Sequence, residues 1–374
     1  MEYKVISSDD HVSEGPGTWI DRVPSKMKDK VPQVHSVDGV STWFVDGKPT
    51  ERLGPVKDAE ELEIRRITAR FQTRPGDWDP IERLKDYTLD AVDAGVLFPN
   101  YSGFTGNPMP MIEDLEVRLE CIKAYNDWLV DEFCATDPKR LVPLALIPPW
   151  NGELAVNEAI RSVKKGHKGV IFGAALDVFD YHPTWDKYWY PFYATLEDLG
   201  VPLVFHQPSA TMDRPSVKNP NLEIPTYIKS AISLSHAHSL IYPTLEFLMS
   251  GILEHHPKLK VFLAESGVSW LPFTLNQLDY YWPKISRFDR NELRMQPSDY
   301  WRRQCYAGFW TDVVSNAVVK WVGEDNLMWE ADYLHTIATF PQSQKLISES
   351  LSEITDERIR SKILATNCVN LFEL

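Results

Sequence analysis

The sequence predicts an α/β fold, a single (β/α)8 barrel of the TIM type with a hairpin-like insertion after its first strand. Three observations lead there. Eight short apolar runs are spread along the chain, segments with helical spacing separate them, and side chains able to bind a metal or carry a proton fall at the ends of four runs. Alternation of strand-like and helix-like segments marks βα units, and eight repeats favour a closed barrel over an open sheet.

Taken in order, the runs are residues 3–7, 95–99, 141–147, 169–172, 201–206, 260–264, 304–308 and 326–331. Most are apolar throughout rather than alternating, which suits parallel strands covered on both faces. The seventh, Gln304-Cys305-Tyr306-Ala307-Gly308, is short and partly polar, so the count of eight depends on it most. Helical spacing occupies 81–94, 111–133, 152–165, 184–199, 226–254, 268–284 and 313–322. Residues 33–54 break this rhythm: Trp43-Phe44-Val45-Asp46-Gly47-Lys48 holds the Asp-Gly pair of a tight hairpin turn and is read as a lid-like insertion. Residues 356–374 read as two short closing helices, with Thr355 as N-cap of the first. Barrels with insertions commonly reach this length as one unit, so residues 1–374 are expected to form a single domain.

Composition excludes several classes. Hydrophobic residues at 43% and charged residues at 25% describe an ordinary globular chain. A formal charge of −14 without a clustered Lys/Arg run argues against a nucleic-acid partner. The start, Met1-Glu2-Tyr3-Lys4-Val5-Ile6, leads into polar Ser7-Ser8-Asp9-Asp10 instead of the apolar stretch of a signal peptide. No run reaches the roughly 18 apolar residues of a membrane-spanning helix, so the expected setting is cytoplasmic, with no membrane partner. Cys121, Cys134, Cys305 and Cys368 form no C-x-x-C pair, which signals neither a disulfide framework nor a thiolate zinc site.

In such barrels the chemistry sits just past the C-terminal ends of the strands. Those points carry Asp9-Asp10-His11 after strand one, His206 after strand five, Glu265 after strand six and Asp332 after strand eight. Side chains two apart on a strand share a face, so Asp9 and His11 can reach one ion. Imidazoles with carboxylates suit zinc, manganese or iron. Glu14, three residues past His11, either swings in as a further ligand or faces solvent. His236 and His238 imitate an H-x-H pair, but in a helical stretch residues two apart diverge; His238 alone is kept as a substrate contact or proton donor. His335 either supports the metal loop or is simply exposed. Trp19, Trp43, Trp150 and Trp270, near predicted strand-end loops, either wall a flat substrate or pack helices onto the barrel.

At these residues the chain resembles the amidohydrolase superfamily, in the branch that includes aminocarboxymuconate semialdehyde decarboxylase and γ-resorcylate decarboxylase. The landmarks cover nearly the whole chain: residues 5–14, Tyr125-Asn126-Asp127-Trp128, Lys168-Gly169-Val170, Leu203-Val204-Phe205-His206, residues 265–272 and residues 329–335. The resemblance implies a mononuclear site with one divalent ion, zinc or manganese first. Asp9 and His11 stand in for the family's H-x-H or E-x-H pair, His206 is the strand-five ligand and Asp332 the strand-eight carboxylate. A homodimer is also implied. Two departures stand out: Glu265-Ser266-Gly267 replaces a His in a His-Gly-Gly-like context, and Asp332-Tyr333-Leu334-His335 lacks the Pro before the final His. Glu265 therefore ligates the metal, moves a proton or holds a loop.

The expected function is metal-dependent hydrolysis of a small cyclic or aromatic substrate, with Asp332 and Glu265 handling protons around a metal-activated water. Nonoxidative decarboxylation of a small aromatic or unsaturated carboxylate is the alternative. A non-catalytic binding barrel comes third.

Overall fold

Parallel strands covered on both sides must be apolar nearly throughout, and the apolar runs do form them. The structure, a computed structural model, describes residues 2–55, 74–102, 111–206, 239–285, 292–333, 335 and 337–374. Eight barrel strands are β1 (Ile6–Val12), β2 (Ala94–Pro99), β3 (Leu141–Pro143 continuing as Ala145–Leu146), β4 (Val170–Ile171), β5 (Leu203–His206), β6 (Val261–Ala264), β7 (Cys305–Phe309) and β8 (Leu327–Trp329). Sequential neighbours pair in parallel from β1 to β3 and from the second part of β3 to β8. The ring closes where Asp10 of β1 bridges Tyr333, just past β8, in parallel.

β1 is the strand whose limits differ most from expectation. It runs seven residues to Val12, so Asp9, Asp10 and His11 lie within it rather than after it. Pairing with β2 persists as His11↔Phe98 and Val12↔Pro99, beyond a register irregularity between Ser7 and Asp10. Polar composition hid this half of the strand.

Caps explain where the helices begin. Asp79, Asp114, Asn151 and Ser315 each accept hydrogen bonds from backbone N–H groups of the first turn, satisfying donors that the helix itself leaves open. Pro80–Leu89, Leu115–Trp128, Gly152–Lys165 and Asn316–Val322 accordingly match the expected segments, trimmed to their caps. At the last helices, Asp356 rather than Thr355 is the N-cap, its carboxylate accepting from the Arg358 N–H at 2.8 Å. Helices Pro297–Gln304 and Ser343–Ser350 were not expected; the buried face of the latter is Ser343, Ile347 and Ser350, too polar to read as core. Much of the expected helix 226–254 lies outside the described residues, which hold Ile241–Met249 and Ile252–His255 of it. No helix among the described residues is long and apolar enough to cross a membrane.

The insertion is a three-stranded antiparallel sheet, Gln33–Val37, Val40–Val45 and Lys48–Pro55. Asp46 and Gly47 turn its second hairpin with φ of 50° and 69°, the left-handed pair that a two-residue turn demands. Rather than a detached lid, it packs on a second core of Trp19, Val34, Trp43, Tyr101, Ile112 and Val117 among others. Trp43 stacks on Tyr101 at 3.9 Å between ring centroids, and Trp19 meets both rings. All four tryptophans singled out in the sequence serve packing: Trp150 lies under the Arg118 guanidinium, and Trp270 donates from its indole to the Ser266 carbonyl.

Truncating Trp43 to Ala leaves a large void, and the expected loss is about 3–5 kcal/mol, measured by denaturant unfolding. A pH effect follows from His167, whose ring is buried at the end of helix Gly152–Lys165. Burial pushes it from 6.5 down to about 4. The unfolded chain therefore binds a proton that the folded protein refuses, so stability is complete above pH 6.5 and falls as pH drops toward 4. The loss approaches about 3 kcal/mol, and His167→Gln flattens the stability profile over that window.

Candidate metal centre

Side chains alternate along β1, so Asp9 and His11 point to one face and Asp10 to the other. Asp9, His11, His206 and Glu265 bring ligand atoms within 4.8 Å of one another, and His11, Asp332 and His335 form a second such group sharing the same imidazole. Asp9 Oδ2 lies 3.0 Å from His206 Nε2, Asp9 Oδ1 lies 3.5 Å from His11 Nε2, and Asp332 Oδ1 lies 3.6 Å from His11 Nε2. Glu265 Oε2 stands 3.5 Å from His206 Nε2. Side chains from β1, from the end of β5 and from just past β6 and β8 thus gather at one point.

The donor set fits a divalent cation. Asp9, His206 and Asp332 are fully buried, and neither Asp9 oxygen accepts a well-formed hydrogen bond. Buried carboxylates without donors are costly, and a cation removes that cost. His11 Nδ1 sits 3.0 Å from the Pro99 carbonyl, which can only accept. Its proton therefore resides on Nδ1, and Nε2 presents a lone pair to the cluster, the usual way a backbone carbonyl orients a metal-binding imidazole.

Electrostatics agree. Burial, then the neighbouring Glu265 and Asp332 carboxylates, push Asp9 well above the usual carboxylate range. Burial and Glu265 raise Asp332 to about 7. Burial holds His11 neutral, the ligating form. Burial works against the charged form of His335, but Asp332, 2.7 Å away, and Glu265 outweigh it and raise the ring well above its ordinary value.

Not every residue marked in the sequence joins the cluster. Glu14 is a correction: it neither faces solvent nor reaches the group, because its carboxylate accepts the N–H groups of Asn100, Tyr101 and Ser102 at 3.1, 2.8 and 2.9 Å and so pins the loop after β2. Asp312 Oδ1 fastens the loop after Glu265, accepting from the N–H groups of Val268 and Ser269. His335 lies against the cluster, its ring tilted at 32° and 4.0 Å from the His11 ring between centroids, and is half-buried. His236 and His238 lie outside the described residues. Asn126, in one of the sequence landmarks, is structural: its amide brackets the N–H and carbonyl of Leu146 in β3.

Two participants escaped the sequence reading. Glu330, fully buried, accepts the Glu265 N–H at 3.3 Å, and burial followed by Asp9 and Glu265 raise it well above the usual range. Gly308 makes room for it: a Cβ there would lie 1.9 Å from Glu330 Oε2. The Glu-x-Asp spacing of Glu330 and Asp332 was the available signal. Arg83, the second, has no exposed surface and donates to the His11 carbonyl at 2.5 Å; nothing in a helical Glu-Arg-Leu-Lys stretch announces that. Glu265 and Asp332 also share φ values of 51° and 55°, uncommon for residues with a Cβ and typical of functional sites.

Comparison with known proteins follows this geometry. A family model described as "Amidohydrolase" matches residues 40–374. Among curated proteins, γ-resorcylate decarboxylase of Rhizobium radiobacter is 24% identical over 317 residues, 80% of this chain and 92% of that protein. Among solved structures, 5-carboxyvanillate decarboxylase of Sphingomonas paucimobilis superposes with a TM-score of 0.67 at 18% identity, covering all of both chains. A dihydroxybenzoic acid decarboxylase of Polaromonas sp. JS666, solved with bound manganese and 2-nitroresorcinol, gives 0.64 at 17% identity, over 100% of this chain and 98% of that one.

Loading with manganese or zinc is expected to reach about one equivalent per chain and to raise Tm, since a ligand at 100 times its Kd adds about 2.7 kcal/mol. His206→Ala and Asp332→Asn, checked as folded by circular dichroism, lose both effects; retention of the full equivalent in either would remove that residue from the site.

Proposed function

Because this chain belongs to the amidohydrolase family, we propose that it is a metal-dependent carboxy-lyase that removes carbon dioxide from a small aromatic or unsaturated carboxylate and leaves a proton in its place. The observation that carries this is the buried group of Asp9, His11, His206 and Glu265 beside Asp332 and His335. Support for decarboxylation over hydrolysis comes from three curated relatives, γ-resorcylate decarboxylases matched over 69–80% of this chain. Charge favours a cation here. Asp9, Glu265, Glu330 and Asp332 crowd one buried point, and a carboxylate substrate enters that field only if positive charge is supplied.

Asp9, His11, His206 and Asp332 would hold the ion. When bound, a divalent cation neutralises the substrate carboxylate and an adjacent oxygen and stabilises the electron pair left on carbon. The chain's own part is protonic. The C–C bond breaks, its pair stays on the ring or vinyl carbon, and that carbon takes one proton. Glu265 delivers it; His335 Nδ1, 3.8 Å from Glu265 Oε1 and hydrogen-bonded to Asp332, restores it from the mouth.

One feature favours hydrolysis as a second reading: where the family resemblance implies a His after the sixth strand, this chain has Glu265. A carboxylate there can take a proton from water as readily as give one to carbon.

Incubation of the manganese-loaded protein with ortho-hydroxybenzoates and unsaturated carboxylates in D2O is expected to release carbon dioxide and place one deuterium at the carbon that carried it. Glu265→Gln is expected to lower kcat by about 10²–10⁴-fold, the range of general-acid contributions, with metal content retained. Turnover of cyclic amides or esters without carbon dioxide release would replace this reading by the hydrolytic one.

A further inference from the structure

Three residues assigned to the cation, Asp9, His11 and Asp332, sit on β1 and just past β8, which meet at the barrel's closing seam. That seam is short. Its described backbone contacts are the Asp10–Tyr333 bridge, the hydrogen bond from His11 N–H to the Tyr333 carbonyl at 2.6 Å, and that from Asp332 N–H to the Asp9 carbonyl at 2.9 Å. Metal–ligand distances tolerate errors of only about 0.2 Å, so something must hold β1 and the β8 loop in register.

On the face of β1 turned away from the cluster lies a buried polar network. Asp10 Oδ1 accepts from Ser7 Oγ at 2.9 Å and from Tyr333 N–H at 3.0 Å, and Asp10 Oδ2 accepts from the Tyr87 hydroxyl at 2.5 Å. Arg83 donates to the carbonyls of His11 and Gly76 and lies 4.1 Å over the Tyr333 ring. Tyr333 in turn donates from its hydroxyl to Asp86, which Arg74 holds through two nitrogens. Two glycines keep this space open. A Cβ at position 95 would lie 2.0 Å from the Tyr87 hydroxyl and 2.3 Å from Asp10 Oδ2, and one at position 76 would lie 2.3 Å from the Tyr333 hydroxyl. Neither glycine has the left-handed backbone that would otherwise require it.

Buried charge is weak evidence for stability, because apolar residues of similar size usually do as well. A fully bonded polar network excels instead at fixing one geometry. We infer that Asp10, Tyr87 and Arg83 are positioning residues for the metal centre, clamping the β1–β8 seam so that Asp9, His11 and Asp332 stay in ligating register. The inference rests on the assignment of those three as cation ligands.

Tyr87→Phe deletes one hydroxyl and keeps the ring; Arg83→Lys keeps the charge and loses the fork. Trp43→Ala, in the second core, serves as a control that destabilises without touching the network. Mn2+ affinity is measured by chelator competition and the bound ion by electron paramagnetic resonance, alongside Tm of the metal-free protein. Both network variants are expected to weaken Mn2+ binding by about 10–100-fold, the usual effect of losing a group that orients ligands, and to alter the spectrum. Trp43→Ala should lower Tm with affinity and spectrum unchanged. Native affinity in Tyr87→Phe overturns the inference, as does a loss in Trp43→Ala matching its fall in Tm. An unaltered protein that binds no Mn2+ overturns the ligand assignment and this inference together; an unaltered protein that binds, matched by Tyr87→Phe, overturns this inference alone.

Discussion

Four acidic side chains, Asp9, Glu265, Glu330 and Asp332, occupy one buried region at the top of the barrel. At an effective dielectric of about 20, two unit charges 4 Å apart repel by about 4 kcal/mol, so this crowd is tolerable only with protons or a cation to offset it. Much of the surrounding structure answers to that constraint. The His206 and His11 imidazoles lie 3.0 and 3.5 Å from Asp9, the His11 tautomer is set by the Pro99 carbonyl, and Asp332 and Glu265 raise His335 well above its ordinary value.

Backbone geometry meets the same demand. Glu265 and Asp332 turn sharply out of their strands with positive φ, a conformation whose cost of about 1 kcal/mol or more persists only where neighbours enforce it. Here they do: Glu330 takes the Glu265 N–H, the Asp9 carbonyl takes the Asp332 N–H, and Asp312 fastens the segment after Glu265. Both carboxylates end beside the imidazoles, Glu265 3.5 Å from His206 Nε2 and Asp332 3.6 Å from His11 Nε2.

What the sequence made legible follows physical periodicity. β2 to β8 are readable because a parallel strand buried on two faces is apolar along its length, and the common face of Asp9 and His11 is readable because strand alternation is geometric. β1 was cut short because its second half is polar, buried only by virtue of the site it builds. Glu14 was misplaced because nearness in sequence to His11 says nothing of which loop its carboxylate turns to, and that loop lies over eighty residues away. Arg83 is not legible for a related reason: the His11 carbonyl and Tyr333 ring that it meets are distant in sequence. The helix Ser343–Ser350 buries serines, one of them bonded to Asp90, and so lacks the apolar stripe that periodicity detects.

The second core has a different kind of consequence. Trp43 from the insertion stacks on Tyr101 from the loop after β2, and Glu14 holds that same loop by its backbone. Insertion, β1 loop and β2 loop therefore make one interlocking piece. Descent with modification should treat that piece as a cassette: changes in the insertion call for matching changes around Tyr101, and a graft of new recognition surface onto this barrel succeeds when all three segments are transplanted together.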